Sequence, residues 1–159
     1  LHLDVWDEAY GGLVDPAVLA ARRATRTARV QRWRQIIESG DTTVYVAEPA
    51  DSGDPAADGD PTADGAPGRL LGFAHCGHGR DRDDSLPRRE LMALYVRAEV
   101  YGAGLGYALL RTAIGDSPAY LWVLDGNERA IRFYERQGFS FDGSTKQEAF
   151  GVERRMVRR

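Results

Sequence analysis

Three observations predict an α/β fold with a mixed, mostly antiparallel central sheet flanked by helices. Residues 42–48 and 69–78 are short alternating or apolar runs joined by a polar segment, the pattern of two strands in a hairpin. The apolar run over 91–96 leads into Gly102, Gly104 and Gly106, then into helical spacing at Ala108, Leu109, Leu110 and Ala113, and then into a second apolar run over 120–124. Antiparallel strands followed by a strand-helix-strand crossover define a mixed sheet. A chain of 159 residues is the size of a single domain able to bury a core, and residues 1–159 are expected to form one.

The elements follow in order. Leu3, Trp6, Ala9 and Tyr10 share a helical face, and Gly11 and Gly12 stop that helix. Asp15 before Pro16 supplies a cap acceptor and a first-turn proline. A helical pattern then runs over 16–39, with Gly40 as its stop and a break near 25–27 that would give two helices. Its arginines, Arg22, Arg23, Arg26, Arg29, Arg32 and Arg34, read as a solvated face, the alternative being attraction for phosphates or an acidic partner. Residues 49–68 contain only Ala, Asp, Gly, Pro, Ser and Thr, a composition that offers no apolar area to offset the entropy of ordering it, and they are expected to form a flexible acidic loop. Residues 80–84 form a charged turn, and 91–96 a central strand buried on both faces. Residues 127–137 read as a helix with Ala130, Ile131, Phe133 and Tyr134 inward, ended by Gly138. Phe139 and Phe141 restart a strand, 142–146 turns it, and 150–157 closes the sheet.

Composition narrows the function. A net charge of -3 argues against a general nucleic-acid binder. The lone Cys76 leaves no internal disulfide and no cysteine-rich zinc site, and no metal-ligand spacing appears. No apolar run approaches the ~20 residues that span a bilayer, and no signal peptide is visible, so a cytoplasmic protein is expected.

The glycine turn after the central strand directs several main-chain N–H groups at one point, where the first turn of a helix carries partial positive charge. A phosphate is the natural guest, the alternative being a strand-to-helix connection without a ligand. A P-loop fails, because Tyr107 and Ala108 follow Gly106 where Lys and Ser or Thr are required. For a dinucleotide turn Asp125 is well placed, but the third glycine falls on Tyr107 and five residues separate Val96 from Gly102. An acyl-CoA site is the third candidate.

The stretch LYVRAEVYGAGLGYALL resembles the coenzyme A signature of the GNAT superfamily of N-acetyltransferases, Q/R-x-x-G-x-G/A, with Tyr101, Gly104 and Gly106 at its fixed positions. Tyr101 departs from the usual Gln or Arg. Downstream, NERAIRFYERQGF resembles N-x-x-A-x-x-F-Y-x-x-x-G-F through Asn127, Ala130, Phe133, Tyr134, Gly138 and Phe139. The resemblance implies a GNAT-like sheet whose strands splay at the acyl-CoA site, a strand before residue 1, and acetyl transfer to a primary amine of a small molecule or peptide. The competing reading is a non-catalytic acyl-CoA-binding module.

By the same resemblance, Leu94, Tyr95, Val96, Tyr101, Gly102, Ala103, Gly104, Leu105, Gly106, Tyr107, Asn127, Ala130, Phe133 and Tyr134 contact the coenzyme. Glu90 would be the base that takes a proton from the amine, the Leu94 amide would face the thioester carbonyl, and Tyr134 would protonate the leaving thiolate. His75 and His78 are runner-up bases on opposite strand faces, and Cys76 reads as an inert buried thiol. The acceptor pocket would draw on Asp4, Trp6, Asp7, Glu8 and Tyr10 with residues 146–150, which would suit a cationic small molecule. A homodimer is compatible with this reading.

Overall fold

The computed structural model describes residues 1–49 and 69–159, so the loop expected over 49–68 lies, beyond its first residue, outside the described residues. Three helices come first: α1 (His2–Tyr10), α2 (Pro16–Ala24) and α3 (Arg26–Ser39). Val5 and Trp6 bury the inner face of α1. Asp15 caps α2 by accepting from the Ala17 N–H at 2.8 Å, beside a first-turn proline. The expected break falls at Thr25, and Gly40, at φ 69°, ends α3 in the left-handed conformation.

Six strands follow, β1 (Thr42–Ala47), β2 (Gly72–His78), β3 (Arg89–Val96), β4 (Ala119–Leu124), β5 (Ser140–Glu148) and β6 (Gly151–Arg158), with α4 (Leu105–Ile114) after β3 and α5 (Glu128–Arg136) after β4. Their order in the sheet is β1-β2-β3-β4-β6-β5. Every neighbouring pair is antiparallel except β3 and β4, which α4 joins as a crossover, so the sheet is mixed and mostly antiparallel, as expected. Leu109, Leu110, Ala113 and Ile114 of α4 pack with Ala74, Cys76, Leu91, Leu121 and Met156 to form the core on one face. On the other face α1 sits over Tyr95, with Trp6 Nε1 donating to the Tyr95 hydroxyl at 2.9 Å. Among the described residues, no helix is long and apolar enough to cross a membrane.

Two expectations change. The turn expected over 142–146 is a register shift inside a continuous β5, between Phe141 and Thr145, and the chain reverses at 149–150. Asp142 and Gly143 carry turn chemistry, but the Asp142 carboxylate is occupied by the Ser144 N–H at 2.9 Å and by Arg155, and Gly143 absorbs the kink at φ 94°. The second change is in β3, where only Glu90 and Leu91 are buried and residues 92–96 are half-buried, because the neighbouring strand leaves them.

Arg155 binds the charged turn to the far end of the sheet. Its guanidinium, 10% exposed, reaches Asp142 at 2.8 Å, Asp81 at 3.2 Å and Asp83 at 3.0 Å. Arg155→Met should therefore lower stability, because three part-exposed carboxylates lose their common cation and are left to solvent screening. Urea unfolding monitored at neutral pH checks this, and an unchanged midpoint would show the cluster to be dispensable.

Candidate active site

The site begins where the sheet comes apart. The parallel ladder between β3 and β4 has a single pair, Glu90 with Tyr120. Next to it, on the other side of β3, the register with β2 shifts between His75 and Cys76, so that Met92 is the extra residue between Leu91 and Ala93. Beyond that bulge the edge of β3 facing β4 has no ladder partner, and a cleft of about 410 Å³ opens between the two strands.

Most of the residues expected at a coenzyme lie together on this cleft. Leu94, Tyr95 and Val96 line it from β3, and Tyr101, Gly102, Gly104, Gly106 and Tyr107 line its mouth. Asn127, Ala130, Phe133 and Tyr134 form the wall that α5 contributes. Ala103 and Leu105 belong to the same turn but do not line the cleft, and Leu105 packs against the core instead.

The mouth is lined by a glycine turn and the first turn of a helix. A short 3-10 turn, Ala98–Val100, occupies the interval between β3 and the glycines that is too long for a dinucleotide turn. Gly102 and Gly104 sit at φ 81° and 83°, a region disfavoured for side chains, and Gly104 is the N-cap of α4 with no side chain to offer. The first N–H groups of α4, at Leu105, Gly106 and Tyr107, therefore have no partner within the helix. No Cβ built on Gly102 or Gly104 would meet an atom within 4 Å, so space lies over the backbone. At the position where the signature has Gln or Arg, the Tyr101 ring carries the Arg129 guanidinium 3.6 Å from its centroid. Arg129 and Arg136 line the cleft and supply cations that sequence reasoning missed.

Asn127 does two things at once. Its Oδ1 accepts from the Ala130 N–H at 3.2 Å and caps α5, leaving the amide NH2 to the cleft. Tyr134 is nearly buried between Phe133 and Phe139. Burial first, and the nearby Tyr10 second, raise its hydroxyl well above the ordinary range, so it stays protonated at neutral pH. Tyr10 shares a hydrogen bond of 3.0 Å with Tyr95, whose hydroxyl is pushed up to about 12 by burial.

Glu90 lies at the closed end, 1% exposed, and does not line the cleft. Arg80 donates to it from Nη2 at 2.5 Å and from Nε and the main-chain N–H at 3.0 Å each, and Tyr120 from its hydroxyl at 3.1 Å. Burial raises its pKa, but the hydrogen bonds and charge of Arg80 outweigh that and hold it below the usual carboxylate value. His75 is buried against Thr42 Oγ1 at 2.8 Å, and burial followed by Arg80 lowers its pKa. His78 is exposed. Cys76 donates its thiol to the Ala113 carbonyl at 3.2 Å, and burial raises its pKa, as for an inert thiol.

The expected acidic wall for an acceptor is not at the cleft. Asp4 and Glu8 each lie 3.5 Å from Arg97, Glu8 also caps the Ala98 N–H at 2.6 Å, and Asp7 pairs with Arg23. Trp6 is buried beneath the Arg22 guanidinium. Helical spacing turns Ala9 and Tyr10, not the carboxylates, toward the opening. The carboxylate that does line the cleft is Glu153 of β6, held by Lys146 Nζ at 2.9 Å. No local pattern marks Glu153, because the β4-β6 pairing that brings it there is non-local. Among the described residues no group of three or more His, Cys, Asp or Glu could hold a metal.

A family model described as the acetyltransferase (GNAT) family matches residues 29–139. A probable N-acetyltransferase of Mycobacterium tuberculosis is 26% identical over 148 residues, 91% of this chain and 74% of that protein. A mycothiol acetyltransferase of Propionibacterium freudenreichii is 39% identical over 79 residues, 46% of this chain and 25% of that protein. Among solved structures, the PaiA N-acetyltransferase of Thermoplasma acidophilum in complex with coenzyme A superposes with a TM-score of 0.67 at 18% identity, over 99% of this chain and 87% of that one. At that identity the likeness speaks for the fold.

Proposed function

This chain belongs to the acetyltransferase (GNAT) family, and from that premise we propose that it transfers acetyl from acetyl-CoA to a primary amine of a small molecule or peptide, by direct attack in a ternary complex. The observation that carries the reading is the continuity of the cleft, which runs from the glycine turn at its mouth to Tyr134, Tyr10 and Glu153.

The residues present fit such a donor. The unpaired N–H groups of Leu105, Gly106 and Tyr107 would hold a pyrophosphate, with Arg129 as the nearby cation. The unladdered edge of β3 offers main-chain groups to a pantetheine arm, and the Leu94 N–H is the donor proposed for the thioester oxygen as negative charge develops there. Acetyl-CoA supplies the activated thioester. Tyr134, protonated at neutral pH, would give its proton to the leaving sulfur. Tyr134→Phe should lower kcat about 30-fold with little change in coenzyme affinity, and an unchanged kcat would remove it from the mechanism.

Glu90 is proposed as the base, taking the proton through a water because its carboxylate does not line the cleft. Arg80 keeps it ionised, the form that accepts a proton, and its pairing with Tyr120 fixes it at the point where the strands diverge. A second reading, a non-catalytic acyl-CoA-binding module, draws on the same clamp, since a carboxylate with four donors is a poor proton acceptor. Thiol release from acetyl-CoA across a panel of primary amines, with the product mass determined, separates the two. Stoichiometric thiol and acetylated amine support the enzyme; coenzyme binding without turnover for every amine supports the module.

A further inference from the structure

A second hollow, of about 240 Å³, lies on the α1 and α3 side of the sheet and is lined by Arg29, Arg32, Trp33, His75, Arg80 and Tyr95. We infer that it is a subsite for an anionic group, a carboxylate or phosphate carried by the acceptor amine. This rests on the acetyl-transfer reading and gives that reading a substrate class.

Its charge comes first. Three arginines, Arg29, Arg32 and Arg80, line it, and no carboxylate belongs to its lining. Glu90 engages Arg80 from beneath, but among the described residues no carboxylate forms an ion pair with Arg29 or Arg32. Among the described residues Arg29 uses only its Nε, donating to the Arg22 carbonyl at 3.3 Å and Thr25 Oγ1 at 3.1 Å, and its Nη groups make no hydrogen bond there. The in-plane N–H fork of a guanidinium matches the oxygens of a carboxylate or phosphate. His2, also on this lining, shows the local field: burial first, then Arg22 and Arg29, bring it down to about 4. His75 is lowered by burial and by Arg80. Burial is the larger cause in both and favours neither sign of ligand; the smaller contribution, from Arg22 and Arg29 at His2 and from Arg80 at His75, is the one that favours an anion.

Its position comes second. Met92, Ala93 and Tyr95 line both this hollow and the cleft, so the two meet across the bulge of β3. An acceptor anchored by its anion at Arg29 and Arg32 could lay its amine over Met92 and Ala93 toward the unladdered edge. Trp33, its indole N–H held by His2 at 2.9 Å, gives the hollow a rigid apolar side.

The test uses ω-amino acids of graded length, each against its methyl ester, and aminoalkyl phosphates, each against its neutral dimethyl ester, with thiol release as the readout. The anionic form is expected to have a kcat/KM about tenfold or more above its ester, and the double variant Arg29→Gln with Arg32→Gln should reduce that ratio to near unity. Carboxylates favoured alone, or phosphates alone, identify which oxyanion the subsite takes. Independently of turnover, inorganic phosphate should quench Trp33 fluorescence saturably, the quench being lost in Trp33→Phe and weakened about tenfold in the double variant. Equal kcat/KM for acids and esters, or a ratio that the double variant leaves intact, overturns the inference while acetyl transfer stands. Saturable phosphate binding with no turnover of any amine would refute acetyl transfer and leave the anion site standing.

Discussion

Glu90→Gln is expected to reduce kcat about 100-fold while leaving the dissociation constant for acetyl-CoA nearly unchanged. The substitution preserves the shape of the side chain and removes the ability to accept a proton. Coenzyme affinity should hold because Glu90 is at the closed end of the parted strands and outside the lining of the cleft. Arg80, 59% exposed, can turn to water when its partner becomes neutral, so the variant should remain folded. Its stability should nevertheless depend on pH in a defined way. The folded pKa of Glu90 is depressed, so its contribution is present above the ordinary carboxylate pKa and disappears as pH falls through the depressed value. Wild type and variant should therefore differ in stability at neutral pH and converge in acid. Steady-state kinetics and isothermal titration decide the catalytic part, and a kcat within about threefold of wild type would assign the proton to another group, Glu153 first.

Gly104→Val should raise the coenzyme A dissociation constant about 30-fold or more. Gly104 is the N-cap of α4 at φ 83°, where a β-branched residue is strained by about 1–3 kcal/mol. No atom of the protein stands within 4 Å of a Cβ placed there, so the added methyl groups would fill the space over the N–H donors and not clash with the chain itself. Gly12→Val provides the control. Gly12 has nearly the same φ, 85°, and equally open surroundings, but does not line the cleft. Both variants should lose similar stability in urea, and only Gly104→Val should lose coenzyme affinity. Normal binding by Gly104→Val would remove the glycine turn from the coenzyme site.

Local chemistry made much of the fold legible. Asp15-Pro16 and Gly40 specified helix ends, and they hold in the structure because caps depend on a few adjacent residues. The Asp142-Gly143 pair misled, since the same chemistry serves a reversal or a bulge and only the partner strand decides between them. The acidic residues of α1 misled for a related reason. Asp4 and Glu8 meet Arg97 and Asp7 meets Arg23, and such distant pairings leave no trace in spacing.

By itself the sequence determined the strand-turn-helix unit, the glycines that free the N–H groups of α4, and the Asn127 to Phe139 segment that lies opposite them, because each is a run of neighbouring residues obeying local geometry. Only the tertiary structure decided what surrounds that unit. It set Arg80 on Glu90, Arg129 on Tyr101, Glu153 at the cleft and three arginines around a second hollow. Each of these joins side chains from different elements, and charge at such distances in sequence is positioned by sheet order and helix packing, which no local period encodes.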